Sequence, residues 1–290
     1  MRLAARFAVI YLMLASAALA EVGGYVTEIE KWRENFDADV RTGGWLALVG
    51  RSKIDQGSWT LGSDPGSAVV LPSKAPARIG VLSRRGRVFR FEPAKGVETT
   101  IGGKAVSGSV ELHTEHGSDR LCIGDLSIAV RAVGDDYYAL VSDAKNPAIG
   151  KFKGTTWFPI VPTYHVPARF VPYRRPRTVH VPLTHVDSRE SMRSTGDIVF
   201  RLAGKTYRLK TFTDEDELFV MFQDATNGKR SYGGGRFVYA PKPEHGVTVL
   251  DFNKAFNPYC SLNAYVMCPI PPPENRLPVQ VAAGETFFAP

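Results

Sequence analysis

The sequence predicts a mainly β protein: an N-terminal helix, a β-sandwich, then a C-terminal antiparallel β domain that is either a second sandwich or barrel-like. Three observations carry this. From Trp45 to Ser142 short apolar-polar alternations such as "RVFRFEP" and "LSIAVRAV" are separated by Gly, Asp and Pro, the rhythm of a sandwich. From Arg169 onward alternation returns in "GDIVFRLAGKTYRLKTF", "ELFVMF", "GRFVYAP", "VTVLDFN" and "RLPVQV". Beyond residue 20, one segment alone has a sustained helical period.

The first twenty residues, "MRLAARFAVIYLMLASAALA", place Arg2 and Arg6 before an apolar run and end in Ala18-Leu19-Ala20. That order predicts a secretory signal cleaved after Ala20, an exported mature chain beginning at Glu21, and no transmembrane segment in it. An uncleaved anchor is the competing reading. The formal charge of +7 loses Arg2 and Arg6 on cleavage. For an exported chain, a basic excess favours anionic lipid head groups or wall polymers over nucleic acid, and it also serves simple solubility.

The segments follow as signal 1–20, helix and lead-in 21–44, sandwich 45–147 and C-terminal β domain 148–290. In "VTEIEKWRENFDADVR" Ile29, Trp32, Phe36 and Val40 make an apolar stripe, Thr27 and Glu30 form a capping box, and Gly43-Gly44 stop the helix. Such a helix lies against a domain. The prolines at 147, 159, 162, 167, 172 and 176 predict an extended connector, and the Ala203-Gly204 pair predicts a hairpin. The connector's Arg169, Arg174, Arg175 and Arg177, around Tyr173, read either as a solvated face or as a contact for an anionic polymer.

Candidate chemistry gathers in the C-terminal region. "SYGGGRFVY" sets Gly233, Gly234 and Gly235 between Tyr232 and Arg236. A phosphate-binding loop needs a lysine, a hydroxyl and a helix after its glycines, and a strand follows here. The glycines instead suit a bulge or close approach by another group, filled by Tyr232, by a proline loop or by a ligand. In the long loop after "VLDFNKAFNPYC", Asp251 and Asn253 are expected on one side of a strand. Together with Asn257 and Asn275 they either tie loop backbone or line a polar pocket with Arg236 and Glu274. In the pocket version Arg236 grips a small anionic or polar ligand and pairs with Asp251 or Glu274 when empty.

Of the three cysteines, Cys122 reads as a buried strand thiol. Cys260 and Cys268 are disulfide candidates in an oxidising compartment. Zinc would need ligands from His165, His180, His185 or His245 without any supporting spacing, so no metal or cofactor is assigned. The leading expectation is an exported binding or accessory protein whose C-terminal site takes a small polar or anionic ligand or an envelope partner. A Cys260 or Asp251 hydrolase at the same place is the enzymatic alternative, and a purely structural envelope protein the third. His113 and His116 flank Glu115 in what reads as an exposed tip.

"LGSDPGSAVVLP", "GVLSRRGRVFRFEP" and "IGGKAVSGSVELHTEHGSDRLCIGDLSIAV" resemble the strand and loop order of forkhead-associated domains, which bind phosphothreonine. Ser63 follows Gly62 where those domains carry arginine. "APAR", Ala75 to Arg78, replaces their serine and histidine, and Gly102-Gly103 their asparagine-glycine. The resemblance therefore implies a fold without the phosphate grip. "FQDATNGKRSYGGGRFVYAP", "LDFNKAFNPYC" and "CPIPPPENRLPV" are similar to a two-domain bacterial family known only by a domain of unknown function. Membership implies this architecture and no activity.

Overall fold

The computed structural model describes residues 2–114 and 119–287, with side chains described from Val22 onward. Helix α1 (Arg2–Thr42) is continuous through the expected cap, so Thr27 sits inside it and its hydroxyl donates to the Gly23 carbonyl at 3.1 Å instead of starting a helix. The helix ends at Gly43-Gly44, where Gly44 takes φ +84°. Ile29, Phe36 and Val40 are buried as the stripe predicts. The secretory signal falls on residues 1–20, whose side chains lie outside the described residues, as do Glu115 and His116. Among the described residues no helix is long and apolar enough to cross a membrane.

The sandwich is built from β1 (Leu48–Lys53), β2 (Gly57–Gly62), β3 (Val69–Val70), β4 (Gly80–Arg85), β5 (Val88–Pro93), β6 (Thr100–Ile101), β7 (Lys104–Ala105), β8 (Val110–Leu112), β9 (Leu121–Ile123), β10 (Leu126–Val133) and β11 (Asp136–Asp143). One sheet runs β1-β11-β10-β9-β6-β7 and the other β3-β2-β4-β5-β8. Leu61, Leu82, Phe89 and Phe91 of one sheet share a core with Leu121, Ile128, Val130 and Val141 of the other. Alternation buried one face of each strand, and two such faces close a two-layer core. Cys122 on β9 is half-buried rather than buried.

A short helix α2 (Pro147–Lys151) interrupts the expected extended connector, because Pro147 fits a first turn and the Asn146 side chain caps it. The C-terminal strands are β12 (His165–Pro182), β13 (Arg189–Leu202), β14 (Lys205–Lys210), β15 (Phe212–Asp214), β16 (Glu217–Phe222), β17 (Arg236–Pro241) and β18 (Val247–Asp251). They form two sheets, β14-β13-β12-β18 and β15-β16-β17, around Ile198, Phe200, Val220, Phe222, Val238, Leu250 and Phe252. The described strands make no closed barrel. Ala203 and Gly204, at φ +48° and +77°, make the predicted two-residue hairpin turn. "RLPVQVAAGETFF" is not a strand within its described residues: it meets its neighbours through isolated bridges, Gln223 with Arg276 and Trp157 with Glu285.

Beyond the reach of β14 and β18, β12 and β13 continue alone as a two-stranded ribbon pairing Arg177–Pro182 with Arg189–Ser194. Its far end reaches the sandwich, where the Ser188 hydroxyl donates to Asp136 at 2.7 Å and Arg131 meets Glu190 at 3.4 Å.

Candidate functional site

Two of the three glycines of "YGGGRF" are packed over by neighbouring groups. Gly235 has φ +102°, and a Cβ there would fall 2.6 Å from the Pro271 ring and 2.8 Å from the Phe222 carbonyl. A Cβ on Gly234 would strike the Tyr232 ring at 2.6 Å. The space is filled by Tyr232 and by the proline loop, and Gly233 alone has room around it. The next residue, Arg236, is fully buried and pairs with Asp224 at 2.6 Å, not with Asp251 or Glu274. Its guanidinium also donates to the carbonyls of Ala283 and Val281, fastening the last described segment to β17. Glu274, half-exposed, bonds Lys210 at 3.2 Å instead. A buried arginine needs a buried carboxylate, and the turn in "FQDATNG" supplies one that sequence spacing alone did not single out.

Asp251 ends β18 and caps the single helical turn that follows, accepting the Asn253 backbone N–H at 3.0 Å. Asn253 is therefore in that turn, not on the strand. Its side-chain amide bonds both sides of Val161, accepting from the N–H at 3.0 Å and donating to the carbonyl at 3.0 Å. The remaining position, where a ligand would sit, is taken by α1. The Tyr25 hydroxyl donates to the Asp251 carboxylate, 2.9 and 3.0 Å from its two oxygens, and accepts from Asn253 at 2.8 Å. Its ring stacks on His165 at 5.1 Å. Burial, then the Asp251 charge, pushes the Tyr25 phenol well above its ordinary pKa, so it stays a donor. Further along α1, Arg33 donates to the Phe158 and Asn253 carbonyls and lies 4.8 Å over Trp157, while Asp37 accepts from the Thr155 N–H and hydroxyl.

Asn257 and Asn275 are buried ties as well. Asn275 accepts from the Lys210 N–H at 2.7 Å and donates to the carbonyls of Lys210 and Met221, holding the proline loop against β14 and β16. Asn257 donates to the Thr286 carbonyl, accepts from the Tyr232 N–H, and its own N–H donates to Glu285 at 2.7 Å. Burial pushes the Glu285 carboxyl up to about 8, against the pull of its Asn257 hydrogen bonds. Glu285 and Asp224, unremarked in sequence, are the two carboxyls that make this wall.

The structure carries Cys260 and Cys268 as free thiols, against the expected disulfide. Each sulfur has a polar partner: Cys268 Sγ accepts the Cys260 N–H at 3.3 Å, and Cys260 Sγ lies 3.9 Å from the Tyr232 hydroxyl. The hydrogen bond from Cys268 lowers the Cys260 thiol to about 7, with Thr184 and Tyr232 assisting and burial opposing. Cys268 is pushed up by that same bond and by burial, and Tyr232 rises to about 12, chiefly through burial. No imidazole is among the hydrogen-bond partners of Cys260 within the described residues, and no cluster of three or more metal-ligating side chains occurs among them. Between these cysteines, Asn263 donates to the Trp45 and Leu48 carbonyls, and Arg51 of β1 donates to the carbonyls of Ala264 and Tyr265. The loop is thus a clasp on the sandwich.

An NMR structure of an uncharacterised protein from Haloarcula marismortui is 32% identical over 48% of this chain and 78% of its own, with a TM-score of 0.40. A crystal structure of Rad53 in complex with AMP-PNP is 10% identical over 69% of this chain and 47% of its own, with a TM-score of 0.20. At such scores neither superposition defines a shared fold. No curated protein matches the sequence. Residues 150–286, which hold Arg236, the Asp251 turn, both buried thiols and Glu285, match the family model described as protein of unknown function (DUF1684), and through this region the chain belongs to that family.

Proposed function

We propose that this is an exported binding or accessory protein that meets an anionic component of the cell envelope through its outer surface, with the C-terminal motifs acting as internal fastenings. One observation carries the reading: the polar group around Asp251 and Asn253 is already satisfied by Tyr25 and Val161, so the position a small ligand would take belongs to the protein's own first helix. The leader-like residues 1–20 and the basic balance support export and an anionic partner. The forkhead-associated-like sandwich serves as scaffold in this reading, since its Ser63 hydroxyl is spent on the Ala75 carbonyl at 2.8 Å.

The test is to express the chain with its own leader, weigh the exported product, and sediment it with washed envelope fragments. A mass beginning at Glu21 and salt-reversible co-sedimentation are expected; retention of the leader or absence from the pellet overturns the proposal. A second reading, a thiol enzyme, has the lowered pKa of Cys260 in its favour. Loss of a hydrolytic activity in C260S with folding intact would establish it in place of the first.

A further inference from the structure

The outer face of the β12-β13 ribbon and its parent sheet carries exposed arginines that the internal fastenings do not use. Along β13 the odd-numbered residues point outward, because Ser194, Gly196, Ile198, Phe200 and Leu202 between them are buried. Arg189, Arg193 and Arg201 therefore stand in one row. Arg189 lies ~13 Å from Arg193, and Arg193 ~27 Å from Arg201, at the rise of an extended strand. Arg169 stands opposite Val199 on the neighbouring strand and His180 opposite Ser191. Among the described residues Arg169, Arg189, Arg193 and Arg201 form no ion pair; Asp197, the carboxylate on this row, is occupied by Arg208 at 3.0 Å and by the Tyr173 hydroxyl.

Between Arg169 and Arg201 the sheet surface dips into a shallow depression of about 440 Å³ floored by Val166, Pro167, Val199 and the exposed Val247. Cations stand along a line with a carbon-lined dip between two of them. A free phosphate would use one arginine and ignore the rest, whereas an extended chain of anionic groups linked by carbon-rich units would use the whole row, with a polyol or sugar face on the valines. We propose that this face is a binding track for a linear phosphate-linked polymer. The inference rests on the reading of an anionic envelope partner and names its chemistry.

Long-chain polyphosphate is the probe, titrated into labelled mature protein at 50 and 200 mM NaCl. Wild type is expected to bind, and to weaken at least tenfold between the two salts, because several counterions leave the polymer on binding. The R169Q/R189Q/R193Q/R201Q variant should lose at least tenfold at 50 mM with its melting temperature unchanged. R85Q/R87Q, on an exposed turn of the sandwich, should bind as wild type does. Three results overturn the track: no wild-type binding, equal loss in R85Q/R87Q, or equal competition by orthophosphate at matched phosphate concentration. Binding to anionic phospholipid vesicles without binding to polyphosphate would overturn it in favour of a membrane surface. If envelope co-sedimentation persists in the fourfold variant, the track falls while the broader proposal stands.

Discussion

The Tyr25 hydroxyl donates to Asp251 across 226 residues of chain, so the first described helix is fastened to the end of the C-terminal sheet by a phenol and a carboxylate. Y25F keeps the ring on His165 and deletes this bond. Removing a hydrogen bond to a charged group should cost about 1.5–3 kcal/mol in urea unfolding. A change below ~0.5 kcal/mol would mean that α1 docks by its apolar stripe alone.

The Arg236-Asp224 pair is wholly buried, so each charge depends on the other. R236M leaves Asp224 without its cation and should destabilise the protein by about 3–5 kcal/mol. The R236M/D224N double variant should recover part of that loss, which chemical denaturation of the single and double variants will show.

Glycine substitutions separate the three positions of the motif. G235A meets both a left-handed backbone and the Pro271 ring, and should cost about 2 kcal/mol or more. G233A, with its nearest neighbour at 3.8 Å, should stay within about 0.5 kcal/mol. Thermal melts of the two variants decide whether Gly233 shares the constraint that holds Gly235.

Stability should fall as pH rises from about 4.5 to about 8 through Glu285. Its folded-state pKa lies above the ordinary value, so the native state holds the proton that the unfolded chain releases across that window. The contribution is complete below the window and lost above it. E285Q fixes a neutral side chain that still accepts the Asn257 N–H, and the difference in urea midpoint between variant and wild type should grow toward pH 8. A constant difference would place the proton elsewhere.

Thiolate absorbance against pH should give Cys260 an apparent pKa of about 7, moving up toward 9.0 in C268A as the hydrogen bond from the second thiol disappears. An unmoved value would assign the lowering to Thr184 and Tyr232.

The sandwich and the hairpins were legible because alternation is a local consequence of one buried face, and the Ala203-Gly204 turn because its backbone leaves few residue choices. The helix start is not legible at Thr27, because a capping box is only a local preference and the helix runs through that residue unbroken. The C-terminal motifs were legible as a cluster but not as partners. Arg236 chose Asp224 over Asp251 and Glu274 because pairing inside a core depends on which turn folds beneath the strand, and sequence distance does not report that. Tyr25 was invisible as the partner of Asp251 for the same reason: nothing local to residue 25 records what lies 226 residues later.

The seat of α1 is made from Trp157, Asp251, Phe256 and Tyr259, so a chain emerging from its N-terminus displays Trp32 and Phe36 long before the surface that will cover them exists. The sandwich can close early, since its strands lie between residues 48 and 143. The first helix cannot dock fully until the chain has emerged through Tyr259. A ribosome that stalls, or a truncation before residue 251, would therefore release a folded sandwich trailing an uncovered aromatic helix, the kind of species that chaperones hold and proteases remove.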